Sequence, residues 1–221
     1  MTDDILIRLA RLDACAVSDA LDQVGAPPSV TGLNALSVRR RISGRVTTVR
    51  LAAGKPPEGA PSRHLCTTAI DTSEAGAVIV VEQKTGIECA GWGGILSNAA
   101  RGRAISGVIV EGFARDIDEA AEINFPVYAR GGTARTARGR IHEAETGGTI
   151  QVGETTVSNG DYVVADSSGT AFVPADRIEA VLAAAENIAV KEAAMTKAVM
   201  SGQPASQVMG GNYEHLLETK A

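Results

Sequence analysis

The 221-residue sequence predicts a mixed α/β domain whose centre is a parallel strand–helix–strand–helix–strand segment. Three observations predict it. Short β-branched runs at residues 77–81, 107–111 and 125–129 are separated by stretches of helical composition. Residues 149–173 carry short apolar segments broken by Asn159-Gly160 and Ser168-Gly169, the mark of antiparallel strands. Hydrophobic residues make up 44% of the chain and aromatic residues 3%, so a sizeable core must be built from Ala, Val, Ile and Leu.

In chain order, residues 4–24 read as an amphipathic helix with Ile5, Leu6, Leu9, Leu12, Val17 and Leu21 on one stripe. Ser18-Asp19 is a possible start for a second short helix that ends at Gly25, before Pro27-Pro28. Residues 44–51 alternate as a strand does, residues 55–61 form a Pro- and Gly-rich loop, and residues 63–74 suit a helix leading to Gly76. The run 77–81 is a buried strand. A loop through Gly86, Gly91, Gly93 and Gly94 follows, and residues 94–104 are an Ala-rich helix. Strand 107–111, a turn at 112–115, helix 116–124 and strand 125–129 complete the central alternation. From residue 174 to about 201 the chain reads as a long Ala-rich helix. The whole is one domain, 1–221, with N-terminal helices at about 4–25 and a C-terminal helical extension at about 174–221.

Several function classes are disfavoured. The formal net charge of −5 argues against nucleic-acid binding. No apolar run is long enough to span a bilayer, and the acidic start is unlike a signal peptide, so a cytoplasmic protein is expected. Cys15, Cys66 and Cys89 are far apart and odd in number, which fits free thiols rather than disulfides or a zinc site. The dinucleotide fingerprint fails because Leu96 stands where its last Gly should be, and neither a Walker motif nor a nucleophile elbow is present. His64, His142 and His215 are isolated, as loop histidines usually are. Arg130, Arg135, Arg138 and Arg140 form either a solvated loop or an anion-binding rim.

Chemistry is then left to two loops. In an open parallel sheet, ligands bind beyond the carboxyl ends of the strands. One loop delivers Gly93, Gly94, Ile95 and Leu96 to a helix start, and the next delivers Arg115 and Asp116. If the strands before them are neighbours, the loops converge. Amides at a Gly-Gly helix start suit a carboxylate, Arg115 offers a bidentate fork, and Asp116 offers a hard oxygen to a divalent cation. The set would bind a 2-oxo acid. The same residues also fit a plain tight turn, a helix cap at Asp116 and a surface ion pair.

At these positions the sequence resembles the RraA-like family, which groups 4-hydroxy-4-methyl-2-oxoglutarate and 4-carboxy-4-hydroxy-2-oxoadipate aldolases with the ribonuclease E regulator RraA. The resemblance is carried by residues 92–96 (Trp-Gly-Gly-Ile-Leu), 107–116 (Gly-Val-Ile-Val-Glu-Gly-Phe-Ala-Arg-Asp) and 125–131 (Phe-Pro-Val-Tyr-Ala-Arg-Gly). Further support comes from 17–21, 44–47 and 160–166. It spans roughly residues 15–200, and Gly-x-x-Arg-Asp is its most specific part. It implies a swivelling β/β/α-type fold, a homotrimer or dimer of trimers, and sites between subunits. It also implies Mg²⁺ or Mn²⁺ held at Asp116 mostly through water, with Arg115 and amides near Gly94 to Leu96 on the pyruvyl part. Glu192 corresponds to an acid contributed by a neighbouring subunit. The activities implied are aldol cleavage and oxaloacetate decarboxylation, both passing through pyruvate enolate. One departure stands out: the aldolase pattern has an acid twenty-one positions before the Arg, where this chain has Gly94. Glu111 is a candidate replacement, although a strand-end glutamate more often faces solvent or pairs with an arginine.

The expectation is therefore a metal-dependent lyase acting on a small 2-oxo acid. The second reading is a non-catalytic regulator that binds a ribonuclease. Trp92 and the terminal helices, which extend beyond the compact regulator type, favour the first.

Overall fold

The computed structural model describes residues 2–59 and 64–210. Helices α1 (Thr2–Leu9) and α2 (Ala14–Gln23) open the chain. Strands β1 (Asn34–Ala35) and β2 (Ile42–Ala53), helix α3 (Thr67–Thr72), and strands β3 (Val78–Glu82) and β4 (Ala90–Trp92) come next. Helix α4 (Gly94–Gly102), β5 (Gly107–Ala114), α5 (Ile117–Glu122) and β6 (Val127–Gly132) follow. The remainder is β7 (Ile141–Thr146), β8 (Ile150–Val152), β9 (Thr155–Val157), β10 (Tyr162–Ala165), β11 (Thr170–Val173), α6 (Ile178–Met200) and α7 (Ala205–Val208).

The main sheet runs β1-β6-β5-β3-β2-β10-β11, with β4 beside β5 and β7 beside β2. Its centre, β6-β5-β3-β2, is parallel, as the alternation of strands and helices requires. Strand β2 serves three neighbours in turn. It pairs antiparallel with β10 over 42–45, parallel with β3 over 46–50, and antiparallel with β7 over 49–53.

Period two explains why the central strands read as unbroken apolar runs: both faces are buried. Ile79, Val81, Val108 and Val110 pack under α3, α4 and α5 with Trp92, Leu96, Ala120 and Phe125. Val78, Val80 and Ile109 point the other way, toward Val152, Val157, Val163 and Phe172. The outer face of β10–β11 is covered by α1, α2 and α6 through Leu9, Val17, Leu21, Val181, Leu182 and Ala185.

Three local expectations are corrected, and one strand had no expectation. Residues 4–24 form two helices rather than one. Asp13 breaks the run, capping α2 by accepting from the Ala16 amide at 2.8 Å, while Asp166 takes the Ala14 amide at 2.9 Å. Ser18 and Asp19 lie within α2 and start no helix. Residues 112–114 are not a turn but the end of β5, extended by pairing with β4 and β6. Residues 141–146, which carry no strand signal, are β7. Residue 63 of the expected 63–74 helix and the tail from Gly211 through His215 and Leu216-Leu217 lie outside the described residues. Among the described residues no helix is long and apolar enough to cross a membrane.

Candidate active site

Strands β3 and β5 are neighbours in register, Glu82 opposite Glu111, so their carboxyl ends share one sheet edge. Gln83 then turns the chain. Its buried side chain donates to the Cys89 carbonyl at 2.7 Å and accepts from the Phe113 amide at 2.9 Å. This lays β4 alongside the end of β5, with Trp92 opposite Ala114. The Arg115 amide donates to the Trp92 carbonyl at 3.0 Å, so the two loops meet through the backbone. Trp92 is buried, stacks on Phe125 with centroids 6.3 Å apart, and donates from Nε1 to Ser97 Oγ at 2.9 Å. The start of α4 is thereby pinned to the core.

Asp116 sits at the N-cap position of α5 with φ of 56°, left-handed, and makes no cap bond to its own helix. Left-handed φ is uncommon outside glycine, though Asp and Asn tolerate it best. It turns the carboxylate across to the next helix: Oδ2 accepts from the Gly94 amide at 2.9 Å and from Arg115 Nε at 3.2 Å. The cap reading holds in altered form, because Asp116 caps α4. Gly93 permits the approach, since a Cβ there would lie 3.0 Å from Asp116 Oδ2. Oδ1 accepts no hydrogen bond among the described residues. The Ile95 and Leu96 amides, next along α4, likewise meet no protein acceptor among the described residues.

The volume beside Gly94 is already taken. A Cβ on Gly94 would overlap the carboxylate of Glu119, from the first turn of α5. Asn98 holds that carboxylate, donating from Nδ2 to Glu119 Oε1 at 2.7 Å and to the Gly94 carbonyl at 3.0 Å. Glu111 does not fill this place. It is buried and bound to Arg130, whose Nη2 lies 2.7 Å from Oε2, and the Gly153 amide donates to the same oxygen at 3.1 Å. It therefore ties β5 to β6 and to the β8–β9 hairpin. Glu192 is exposed on α6 and outside the cavity lining within one chain.

Gly93, Gly94, Ile95, Leu96, Arg115 and Asp116 line one wall of a cavity of about 620 Å³, within the range of small-molecule sites. The cavity is also lined by His64 and His142, read from sequence as isolated loop histidines, by Arg138, from the stretch read as a solvated loop or an anion-binding rim, and by Glu143, which sequence reasoning passed over. The Arg-rich stretch divides among separate tasks. Arg138 reaches the cavity, Arg130 serves Glu111, Arg135 faces Glu88 at 3.7 Å, and Arg140 donates to the Thr136 carbonyl at 3.0 Å. Glu143 accepts from the Cys66 amide at 2.6 Å and from Thr146 Oγ1 at 2.8 Å. Burial, reinforced by the charge of Glu143, pushes the Cys66 thiol well up, which disfavours the nucleophilic thiolate.

Among the described residues no three His, Cys, Asp or Glu side chains cluster as a ready ligand cage. The donors suit a hard cation that keeps most of its water: one carboxylate oxygen of Asp116 accepts no hydrogen bond among the described residues, and a second carboxylate, Glu119, lies against the neighbouring Gly94.

Residues 14–171 match the RraA-like family, described as Aldolase/RraA. The chain belongs to the RraA-like family. It is 26% identical over 204 residues to protein DlpA of Legionella pneumophila, covering 92% of this chain and only 33% of that protein. It is 26% identical over 200 residues to a putative 4-hydroxy-4-methyl-2-oxoglutarate aldolase of Halalkalibacterium halodurans, covering 89% of each. A solved structure of an uncharacterized protein from Pseudomonas syringae superposes with a TM-score of 0.83 at 27% identity, over 94% of this chain and 97% of that one. The mixed sheet flanked by helices is thus the RraA-like architecture the resemblance implies.

Proposed function

We propose that the chain is a divalent-metal-dependent lyase that breaks a carbon–carbon bond in a small 2-oxo acid to release pyruvate enolate, by aldol cleavage or by oxaloacetate decarboxylation. The observation that carries the reading is the meeting of Arg115, Asp116 and the open start of α4 on one cavity wall. The terminal guanidinium nitrogens of Arg115 are free of protein acceptors among the described residues, while Nε is held by Asp116. The fork is therefore oriented before substrate arrives, which suits bidentate binding of a carboxylate. The Ile95 and Leu96 amides receive the other side of the pyruvyl group at the positive end of α4. Mg²⁺ or Mn²⁺ held at Asp116 would supply Lewis-acid stabilisation for the oxyanion that develops as the bond breaks. Cavity walls of Trp92, Leu96 and Ile141 limit water near the carbanion.

Ile95 is 84% exposed at the cavity mouth, and closure of this opening by another copy of the chain fits a site shared within a trimer or hexamer. Glu192 of that copy would then approach the site. Relatives named as putative aldolases support the reading; the second reading, a non-catalytic regulator that binds a ribonuclease, rests on the family resemblance, whose description also names RraA.

The test is pyruvate release from oxaloacetate with Mg²⁺ or Mn²⁺, with and without chelator. Turnover that chelator abolishes and metal restores is expected. No turnover with any divalent metal would favour the regulator.

A further inference from the structure

We propose that Glu143 is the general base of aldol cleavage, taking the proton from a substrate hydroxyl two carbons beyond the oxo group. The inference rests on the lyase reading above and adds a residue that decarboxylation does not need.

Glu143 lines the same cavity as Arg115, Asp116 and the start of α4. Side chains alternate along β7, so Glu143 shares a face with Ile141, which packs in the core cluster of Trp92 and Leu96. One residue joins the two parts of the site. The Cys66 amide donates to Glu143 Oε2 at 2.6 Å, and the Cys66 thiol donates to the Gly91 carbonyl at 3.7 Å, two residues before Gly93. Cys66 holds this position with a left-handed φ of 66°, uncommon outside glycine. Thr146 Oγ1 donates to Oε1 at 2.8 Å. The carboxylate is therefore oriented by two neutral donors, and each of its oxygens has a second lone pair. The other titratable groups of the lining are placed less well for this task. Arg115 and Asp116 serve the carboxylate and the cation in the reading above, and the guanidinium of Arg138 cannot accept a proton. His142 leaves the other face of β7, with Nδ1 3.2 Å from the Gly54 carbonyl. His64 is exposed, with Nδ1 3.1 Å from the carbonyl of its own neighbour Leu65. In the step itself the C4 hydroxyl proton passes to Glu143 and the C4–O bond becomes a carbonyl. The C3–C4 bond breaks, and its electron pair forms the C2–C3 double bond of pyruvate enolate, with the charge on the former oxo oxygen. Return of the proton to C3 through water restores the carboxylate and consumes no other reactant. Oxaloacetate carries no such hydroxyl: its own carboxylate supplies the electron pair that releases CO2, so no base is required.

The experiment compares two substrates on one preparation: 4-hydroxy-4-methyl-2-oxoglutarate, which has the hydroxyl, and oxaloacetate, which lacks it. Glu143→Gln keeps the shape. Its amide oxygen still accepts from Cys66, and its amide nitrogen meets a Thr146 hydroxyl that can accept as well as donate. Its kcat for aldol cleavage is expected to fall about 100-fold or more, the usual effect of losing a general base, with KM changed far less. Decarboxylation should fall much less, so the ratio of the two rates drops. A ratio equal to the parent's, whether both rates hold or both fall together, would overturn the proposal and leave Glu143 a structural partner of Cys66. Should Glu143→Gln fail to fold, Glu143→Asp carries the same test: it draws the carboxylate back by one methylene, and the ratio is expected to fall about tenfold, an unchanged ratio overturning the assignment. A parent that decarboxylates oxaloacetate but cleaves no 4-hydroxy-2-oxo acid would overturn the role of Glu143 and leave the lyase reading standing. A parent active on neither substrate would remove both.

Discussion

Replacing Asp116 separates its two roles, one structural and one chemical. Its carboxylate caps α4 through the Gly94 amide and orients Arg115, from a residue held at left-handed φ. Hydrogen bonds to a charged acceptor contribute roughly 1.5–3 kcal/mol when buried. The Asp116 side chain is 37% exposed, so solvent screening reduces this to about 1 kcal/mol. Asn tolerates the left-handed conformation and keeps an acceptor, so Asp116→Asn should cost about 1 kcal/mol. Ala loses both, and the disfavoured φ adds about 1 kcal/mol more. For a chain of this size 1 kcal/mol corresponds to roughly 2–4 °C in Tm. The expected shifts are therefore about 2–4 °C for Asn and about 4–8 °C for Ala, which leave both variants folded. Loss of metal-dependent oxaloacetate decarboxylation is expected to be about 100-fold or more in both, as for removal of a group that stabilises developing charge. Calorimetric scans and pyruvate release, measured on the same preparations, check the pair. Turnover within about twofold of the parent in Asp116→Asn would refute the reasoning and make Asp116 a cap alone.

Other perturbations bear on separate parts of the molecule. Arg115→Lys keeps the charge but loses the fork, and oxalate affinity by calorimetry is expected to fall at least about tenfold; equal affinity would remove Arg115 from carboxylate binding. Glu111→Ala strands Arg130 and the Gly153 amide, so urea unfolding should show a loss of about 2–4 kcal/mol, below the fully buried case because Arg130 is partly exposed. The Arg8 hydrogen bonds hold the Glu186 carboxyl below its usual range. Its contribution is therefore present above the unfolded carboxyl pKa and is lost as pH falls through the lower folded value. Thermal scans should show Glu186→Gln less stable than the parent at pH 7 and converging with it in acid. Exposed Cys15 should react with a thiol reagent in the native protein at pH 8 while buried Cys66 and Cys89 do not, and mass spectrometry of the labelled peptides would show it.

The legible parts of this protein are those whose signal is local. Strands β3 and β5 are buried on both faces and announce themselves as Val-Ile runs, and the loops after them must lie at one sheet edge once the strands are neighbours. That argument reaches Gly94, Arg115 and Asp116 without coordinates. The opposite cavity wall was illegible because its strand is made by its partner. Residues 141–146 alternate weakly in burial and carry His, Glu and Thr, and they are a strand because β2 runs on past β3 and offers a free edge. With β7 unseen, His142 and Glu143 had no reason to face the site, and His64 looked isolated although it closes the same cavity. The three-residue β4 escaped for a related reason: Ala90 and Trp92 pair with the last two residues of β5, Phe113 and Ala114, which themselves looked like a turn.

Glu111, Asp116 and Glu119 make the same point from the side of chemistry. They lie on one strand–loop–helix stretch and are all carboxylates, and the sequence offered only Glu111 as a replacement for the acid that Gly94 lacks. Their partners sort them. Arg130 and the Gly153 amide consume Glu111, so its charge is satisfied inside the sheet. Asp116 is half engaged, with one oxygen capping α4 and the other open. Glu119 is oriented but not neutralised, over a glycine small enough to admit it. The missing side chain at Gly94 is therefore not simply a lost group, because α5 delivers a carboxylate into the space it leaves.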